Sequence, residues 1–554
     1  MEHAFLNHAL FMLIAAVASV ALFLRLGLPP ILGYLIVGML MGPGAAGFIS
    51  DSTQIRSWAE IGIVFLMFTI GLEFSWPVLR HMKSAVLGLG GLQVMLTMIL
   101  IDLLAIVVGI PWEQGLVIGG IIAMSSTALV TKILADQAEL QTRHGRNSLG
   151  ILLFQDIMVV PLLILVGLLG QERAMPGSWA LAMAAAEGLI VLSCILAFGH
   201  WVLRPLIREI ARFQSAELFT LFVLLIVLAS AWMTERAGLS LALGAFLAGV
   251  MLSETEFHHQ VASEIRPFRD VLLGLFFITV GMMLDLGRLP QIGAQAFLLA
   301  CLLIITKLLI ITLACRIGSW NMAVAFRTGL CLAHGGEFGF AILILALDEK
   351  AIDPLIGQIV LTAMLISMLL APLLIRFNGS LTARLMPNAA KRSREEISSD
   401  IRDKAKRLSH HVIVCGYGRI GHHTVEFLRS HHVPCLAIEL DLDKVRQGKN
   451  QGRPVSYGDA ASLELLRACG LERAAAVIIT MIDFATVMKI LKRIRSMDRD
   501  IPVVVRTRKE IHLYQLYQAG ASEVIADTFG NHFMLTEEVL KRWRLDGAFT
   551  PKAS

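Results

Sequence analysis

The stretch LFQDIMVVPLLIL, residues 153–165, sets a carboxamide, Gln155, and a carboxylate, Asp156, into a run of side chains otherwise fit only for lipid or a protein core. An ionised group at mid-bilayer costs on the order of 3 kcal/mol by insertion scales, so such a residue normally faces a cavity and serves a purpose there. Whether this run crosses a membrane is decided by the rest of the chain. Of 554 residues, 56% are hydrophobic and only 16% charged, and the mean hydropathy is +0.70. That composition lies well outside the soluble globular range and leaves a polytopic membrane protein as the class. The long apolar runs fill residues 4–376, whereas 391–554 reads as an ordinary soluble domain. The formal charge of +5 is modest and calls for no nucleic-acid partner. Seven cysteines are scattered without paired spacing, so we expect reduced, buried thiols and no metal site.

A helix needs about 20 apolar residues to cross a bilayer, and thirteen candidate spans fall near 4–24, 30–48, 59–79, 84–110, 115–134, 147–169, 180–203, 216–234, 237–253, 268–285, 292–315, 322–347 and 356–376. The first is of full spanning length and lacks a basic leader, and is expected to be a retained helix. Alternate loops carry Arg80 with Lys83, Arg143 with Arg146, Arg204 with Arg208 and Arg212, and Arg266 with Arg269, while the opposite set carries at most one basic residue each. The enrichment of Lys and Arg on one side places the N-terminus outside and the C-terminal domain in the cytoplasm. The expected domains are a membrane transporter over 1–380, a charged linker helix over 381–409, an α/β Rossmann-like domain over 410–530 and a short tail over 531–554. The linker alternates basic and acidic residues, which suits an exposed helix near anionic headgroups or a solvated spacer.

Asp156 sits near the middle of its span. Taken alone it has three readings: a helix–helix hydrogen bond, a structural ion pair, or an ion-carrying site. Its company favours the last. The preceding span contains AMSSTALVTK (123–132), where Ser125, Ser126 and Thr127 supply hydroxyls to an interrupted helix. The twelfth contains LAHGGEFGF (332–340), where Gly335 and Gly336 beside Glu337 suit an unwound segment. Spans five and twelve run in opposite directions, and inverted repeats with broken helices at the midplane are a transporter signature. Lys307 adds a mid-membrane charge of opposite sign, readable as transport chemistry or as an ion pair between bundles. Asp102 and Glu73, nearer span ends, read as interfacial or capping.

One carboxylate with hydroxyl, amide and carbonyl oxygens suits a monovalent cation that must be released again. Burial favours the neutral form of a carboxyl, so one Asp can alternate between a proton and a cation. Gln155 does not titrate. The expected exchange is therefore one proton for one cation, without net charge movement.

In the soluble part, HHVIVCGYGRIGHHTVEFL (410–428) is an apolar strand, then Gly416, Gly418 and Gly421, then a helix start. The next strand, PCLAIELD, carries Glu439, 23 residues after Gly416 and in position to reach ribose hydroxyls. Strand-like runs at PVSYGDA, AAAVIIT, PVVVRT and EVIADT complete a doubly wound domain whose glycine loop sets a phosphate at a helix N-terminus. An acid at 439 disfavours a 2′-phosphate, leaving NAD(H) or a mononucleotide such as AMP. Too little chain follows the sheet for a substrate domain, so the nucleotide is expected to regulate rather than react. The His-His pairs cannot both point at one ion from a helix or strand, and metal binding is not expected.

At this point the chain resembles the Kef-type potassium/proton antiporters of the monovalent cation:proton antiporter-2 group, with a C-terminal domain like those that regulate potassium conductance. The resemblance covers nearly the whole chain and rests on GLEFS (71–75), SSTALV (125–130), LLFQD (152–156), SETEFHHQVASEIRPFRDVLLGLFFITVGM (253–282), Lys307, HGGEF (334–338), GYGRIG (416–421) and YGDA (457–460). It implies a homodimer in a bacterial inner membrane, in contact with lipid and with an ancillary regulatory subunit. Potassium/proton exchange would use Gln155, Asp156, Ser125, Ser126, Thr127, Lys307 and Glu337. A nucleotide site would comprise Gly416, Tyr417, Gly418, Arg419, Ile420, Gly421, Glu439, Asp459 and Ala460, and His259, Glu264 and Arg266 would form a coupling loop. Kef proteins under glutathione control carry arginines in the segment that here reads YQLYQAG (514–520), where Gln515 and Tyr517 stand. The short tail departs from the family as well. Adenine nucleotide binding is thus implied, whereas glutathione gating lacks its residues.

Three other readings stand beside this one. A nucleotide-gated potassium channel needs a filter of consecutive carbonyls, and no TVGYG-like loop occurs. A sodium/proton antiporter of the same fold differs only in cavity size. A membrane-anchored dehydrogenase lacks its substrate domain.

Overall fold

The structure is a computed structural model that describes residues 2–43, 45, 52–73, 84–137, 139–140, 142–170, 204–236, 240–318, 321–508 and 510–526. The span expected at 180–203 and the tail from 531 lie outside these residues. Two compact units are present: Met1–Lys132, Asn147–Trp320 and Thr328–Phe377 form the first, and Ile133–Arg146, Asn321–Arg327 and Asn378–Ser554 the second. The division is not the contiguous one expected near residue 380, because two short segments of the apolar region cluster with the C-terminal unit.

The helices of the apolar region, in chain order, are α1 (Glu2–Arg25), α2 (Pro30–Met41), α3 (Ser52–Glu73), α4 (Gly91–Val107, preceded by a π-helical turn), α5 (Trp112–Ala123), α6 (Thr127–Asp136), α7 (Arg143–Gly170), α8 (Arg204–Arg212), α9 (Ala216–Arg236), α10 (Leu241–Ser253), α11 (His258–Met282), α12 (Leu289–Ile317), α13 (Met322–Leu332), α14 (Glu337–Asp348) and α15 (Pro354–Arg376). Among the described residues six helical spans are long and apolar enough to cross a membrane, or seven if α13 and α14, bent by 48° at their junction, count as one. Thirteen is not reached. Several expected spans fold as helices shorter than the bilayer requires, such as α2 with 12 residues and α10 with 13.

Without a hydrophobic force between helices in lipid, close backbone approach supplies the packing. A Cβ on Gly38 of α2 would lie 2.0 Å from the Ile278 carbonyl oxygen of α11, and one on Gly281 would lie 2.3 Å from that of Leu35. The same reciprocity joins Gly71 of α3 to Phe246 and Gly249 of α10 to Phe68, each at 2.1 Å. Leu221, Leu225 and Leu228 of α9 remain exposed, as a lipid-facing stripe does.

In the second unit a six-stranded parallel sheet has the order β3-β2-β1-β4-β5-β6, built from β1 (His411–Cys415), β2 (Cys435–Glu439), β3 (Val455–Tyr457), β4 (Ala474–Ile479), β5 (Val503–Thr507) and β6 (Glu523–Ala526). All the strand-like runs read from the sequence are strands. The order reverses at β1, which opens a crevice between β1 and β4 at their carboxyl ends. The charged linker is helical over α16 (Asn378–Leu385) and α17 (Pro387–Ala405), but it is not a solvated spacer. Ile401 and Ala405 are fully buried in the core that also holds Leu465, Leu466 and Ile438. A single apolar edge, hidden among alternating charges, suffices to dock that helix. The Cys435 and Cys469 thiols, buried as expected, are pushed up to about 11 and about 12 by desolvation, which keeps them protonated.

Candidate functional site

Two helix interruptions build the membrane site. α5 ends at Ala123 and α6 starts at Thr127, while α13 ends at Leu332 and α14 starts at Glu337. Helix ends leave orphan N–H and C=O groups that need partners in a buried setting. Here the two breaks serve each other. The Ser125 hydroxyl donates to the Leu332 carbonyl at 3.0 Å, and a Cβ on Gly336 would lie 2.4 Å from the Ser125 carbonyl carbon. The breaks therefore touch backbone to backbone, which only a residue without a side chain permits. Ser126 caps the next turn by accepting from the Leu129 N–H at 3.3 Å. Glu337 accepts from the Ala128 N–H at 3.4 Å, setting a carboxylate in the first turn of α6, where the helix dipole favours negative charge.

α7 brings Gln155 and Asp156 to the crossing. The Thr127 hydroxyl donates to Asp156 Oδ1 at 3.1 Å, and Asp156 is half-buried, whereas Gln155 is fully buried. Both ends of the Gln155 amide bond to protein: Oε1 accepts from the Ser125 N–H at 2.8 Å and Nε2 donates to Gln93 Oε1 at 2.7 Å. Sequence reasoning passed over Gln93, although the signal was of the kind that exposed Asp156: a carboxamide inside an apolar run.

Lys307, on α12, is fully buried and spends all three of its protons on the breaks. It donates to the Met124 carbonyl at 2.7 Å, the Ser125 hydroxyl at 2.8 Å and the His334 carbonyl at 2.7 Å. These bonds tie the two interruptions together through carbonyls and a hydroxyl, and not through the ion pair that was one of the two roles read from sequence. The site thus combines a half-buried carboxylate and hydroxyl with a buried frame of amides, carbonyls and an ammonium. Ser125, Ser126, Thr127, Gln155, Asp156, Lys307 and Glu337 all meet at the one crossing.

The second site lies at the carboxyl end of β1. Gly416 has φ +103, a conformation that L side chains rarely adopt, Gly418 caps α18 (Arg419–Ser430), and a Cβ on Gly421 would lie 2.0 Å from the Gly416 carbonyl oxygen. Gly416 and Gly421 thus each have a steric task, whereas a Cβ on Gly418 would meet nothing within 4 Å, and a helix N-terminus of this kind suits an anion. Glu439 accepts from the Tyr417 N–H at 2.6 Å and from the Leu440 and Asp441 N–H groups at 2.8 and 2.9 Å. The acid therefore ties β2 to the glycine loop. Asp459 accepts from the Ala461 N–H at 2.8 Å, and Ala460 is fully buried. Ile420 lies in the first turn of α18 beside Arg419.

The second unit also holds a polar cluster not foreseen from sequence. Glu139 accepts from Arg327 at 2.8 Å, pairs with His144 at 3.0 Å and accepts from Asn378 at 3.2 Å. Arg146 meets Asp441 at 2.8 Å, and the Arg143 guanidinium lies 4.1 Å from the centre of the Tyr457 ring. Glu139, Arg143, His144 and Arg146 are close in sequence, but Arg327, Asn378, Asp441 and Tyr457 are not, so no local pattern reveals the cluster. Of the expected coupling residues, Glu264 accepts from the Thr220 hydroxyl at 3.1 Å, His259 stands against His258 with ring centres 4.0 Å apart, and Arg266 is exposed. Among the described residues no group of His, Cys, Asp and Glu is placed to hold a metal ion.

Residues 12–377 match the family model of the transmembrane sodium/hydrogen exchanger, and residues 412–527 that of the TrkA-N domain. A putative K(+) efflux antiporter KefB of Alkalimonas amylolytica is 42% identical over 535 residues, covering 96% of this chain and 80% of that protein. The chloroplastic K(+) efflux antiporter 1 of Arabidopsis thaliana is 36% identical over 556 residues, which are 98% of this chain and 46% of that longer protein. Among solved structures, the sodium proton antiporter MjNhaP1 of Methanocaldococcus jannaschii superposes with a TM-score of 0.52 at 16% identity, over 68% of this chain and 99% of that one. That last likeness is one of fold alone.

Proposed function

The chain belongs to the sodium/hydrogen exchanger family, in its potassium-efflux branch, and carries a TrkA-N domain; from that premise we propose that it exchanges potassium for protons by alternating access, with Asp156 as the shared seat of the two ions. It is a multi-pass membrane transporter, not an enzyme. The observation that carries the reading is the half-buried Asp156 at the crossing of two broken helices, with the Thr127 hydroxyl on its Oδ1. A carboxylate there binds a cation in one state and a proton in the other, and competition for one seat is the minimal antiporter. Because Gln155 is neutral, one proton leaves for each cation and no net charge moves. Ser125, Ser126, Lys307 and Glu337 hold the breaks in place around that seat. Potassium is preferred to sodium here on the ground of the efflux relatives. A sodium/proton exchanger of the same geometry is the alternative.

The wider reading follows the branch: thirteen spans, a homodimer in a bacterial inner membrane with lipid around it, a cytoplasmic TrkA-N domain and an ancillary regulatory subunit. The glycine loop and Glu439 support a nucleotide site for NAD(H) or AMP that regulates transport, with His259, Glu264 and Arg266 as coupling residues.

Reconstitution in liposomes under potassium or sodium gradients, with internal pH as the readout, tests the exchange. Proton flux driven by potassium in the native chain and abolished in Asp156→Asn is the expected result. Equal flux in the variant removes Asp156 from the mechanism, and flux with sodium alone replaces potassium. For the second site, a thermal shift with NADH or AMP should follow RT ln(1 + [L]/Kd), about 2.7 kcal/mol at a hundredfold excess over Kd. No shift at millimolar nucleotide makes the domain purely structural.

A further inference from the structure

We infer that Gln93 is a positioning residue that locks the Gln155 amide, oxygen toward the first helix break and amino group away from it, and thereby demands a hydrogen-bond donor rather than a charge at position 155 beside Asp156. The inference rests on the transport reading above and concerns a residue on a different helix, α4.

Amide orientation is usually a choice made from the surrounding network. Here backbone groups fix it at both ends. Gln93 Nε2 donates to the Ala123 carbonyl at 3.1 Å and to Thr97 Oγ1 at 3.2 Å. The Thr97 hydroxyl proton is itself given to the Gln93 carbonyl at 2.8 Å, so Oγ1 is free to accept. A carbonyl only accepts, so the amino group of Gln93 must face Ala123 and its oxygen must face Gln155. At the other end the Ser125 N–H only donates, so the oxygen of Gln155 must face Ser125 at 2.8 Å and its amino group must face Gln93 at 2.7 Å. The two orientations, fixed independently, meet donor to acceptor. Gln93, Thr97, Ser125 and Gln155 are all fully buried, and water does not replace a missing partner cheaply.

The relay closes across the first helix break. Ala123, the last residue of α5, has its carbonyl satisfied by Gln93, and the Ser125 N–H inside the break is satisfied by Gln155. Residue 155 therefore has to offer one acceptor to Ser125 and one donor to Gln93. A carboxamide does both. An ionised carboxylate has no proton to give and would set its charge against the Gln93 oxygen. A protonated acid meets both demands. Gln93 thereby decides that a carboxyl introduced at 155 keeps its proton, and the exchange keeps its charge balance. The alternative, a flip of Gln93, turns its oxygen toward the Ala123 carbonyl and leaves that acceptor orphaned.

Two variants test this. In Gln155→Glu, the acid of the same length, infrared difference spectra of the purified protein at neutral pH are expected to gain a protonated-carboxyl band over the native chain, and exchange in liposomes is expected to run at the same rate with and without an imposed membrane potential. A carboxylate band, or exchange driven severalfold by the potential, overturns the inference. In Gln93→Leu, of similar volume, the amide of Gln155 loses its lock and the frame that sets Thr127 beside Asp156 loosens. The KM for potassium is expected to rise about three- to tenfold, the worth of one hydrogen bond, with less change in kcat. An unchanged KM reduces Gln93 to space-filling and overturns the inference. The infrared result needs no transport, so it still decides the relay if Gln93→Leu fails to fold. Absence of exchange in the native chain would instead strike the transport reading.

Discussion

Glu139 is held by three side chains of the second unit, and its ionisation is tied to the stability of that unit. Burial alone would raise its carboxyl, but the hydrogen bond with His144, the charges of Arg327 and His144 and the bond from Asn378 outweigh burial and hold it far below the ordinary carboxylate range. A carboxyl depressed by folding contributes stability that is complete above its unfolded value near 4.5 and is lost as the pH falls below that value toward the folded one. Glu139→Gln should therefore lower thermal stability by about 1.5–3 kcal/mol at neutral pH, the range for a hydrogen bond to a charged group. It should also flatten the loss of stability below pH 4.5. A melting curve whose acid limb is unchanged in the variant would remove Glu139 from that role. Legibility at this scale was uneven. Asp156, Lys307 and Glu337 announced themselves as charges in apolar runs, whereas Gln93 is uncharged and Glu139 sits in an ordinary polar loop. Its partners, Arg327 and Asn378, come from segments nearly 200 residues or more away.

The decisive element is the pair of broken spans. Both interruptions were legible, from SSTALV on one side and HGGEF on the other, because hydroxyls and paired glycines are what an unwound backbone in lipid requires. What was not legible is that they touch. Gly336 lies in an extended conformation open to any residue, with φ −131, yet a Cβ there would meet backbone atoms Ser125 C, Ser125 O and Ser126 N at 2.4, 2.5 and 2.8 Å. Gly335, its neighbour, would meet only side-chain atoms of Met364 and Ser367, at 3.3 Å. Gly336→Ala is thus expected to lower exchange by at least about tenfold, the effect of 1.4 kcal/mol on a rate, while Gly335→Ala retains most of it. The comparison is read in liposomes loaded with equal amounts of each protein. Equal loss in both, or in neither, would contradict the backbone crossing. The charged linker taught the converse lesson. Its alternating charges suggested a solvated helix, but burial of Ile401 and Ala405 depends on one narrow edge that charge counting does not weigh.

At the scale of the whole molecule, composition separated a lipid-facing region from a water-facing one, and the strand pattern of the second was read strand by strand. The span count was legible only in part: among the described residues six or seven helices have full spanning length, and shorter ones such as α2 and α10 carry the same apolar signal. The division into compact units was hidden too, since Ile133–Arg146 and Asn321–Arg327 lie among the apolar spans in sequence but cluster with the C-terminal unit. What unites the reading of the molecule is one seat for two ions. Calorimetric titration of the purified protein with potassium, repeated in buffers of different ionisation enthalpy and across pH, counts the protons released per cation bound. Release should approach one proton per potassium where Asp156 is protonated and fall to zero as the pH rises, and Asp156→Asn should release none. Potassium binding without proton release at any pH, or equal release from the variant, would contradict the shared seat.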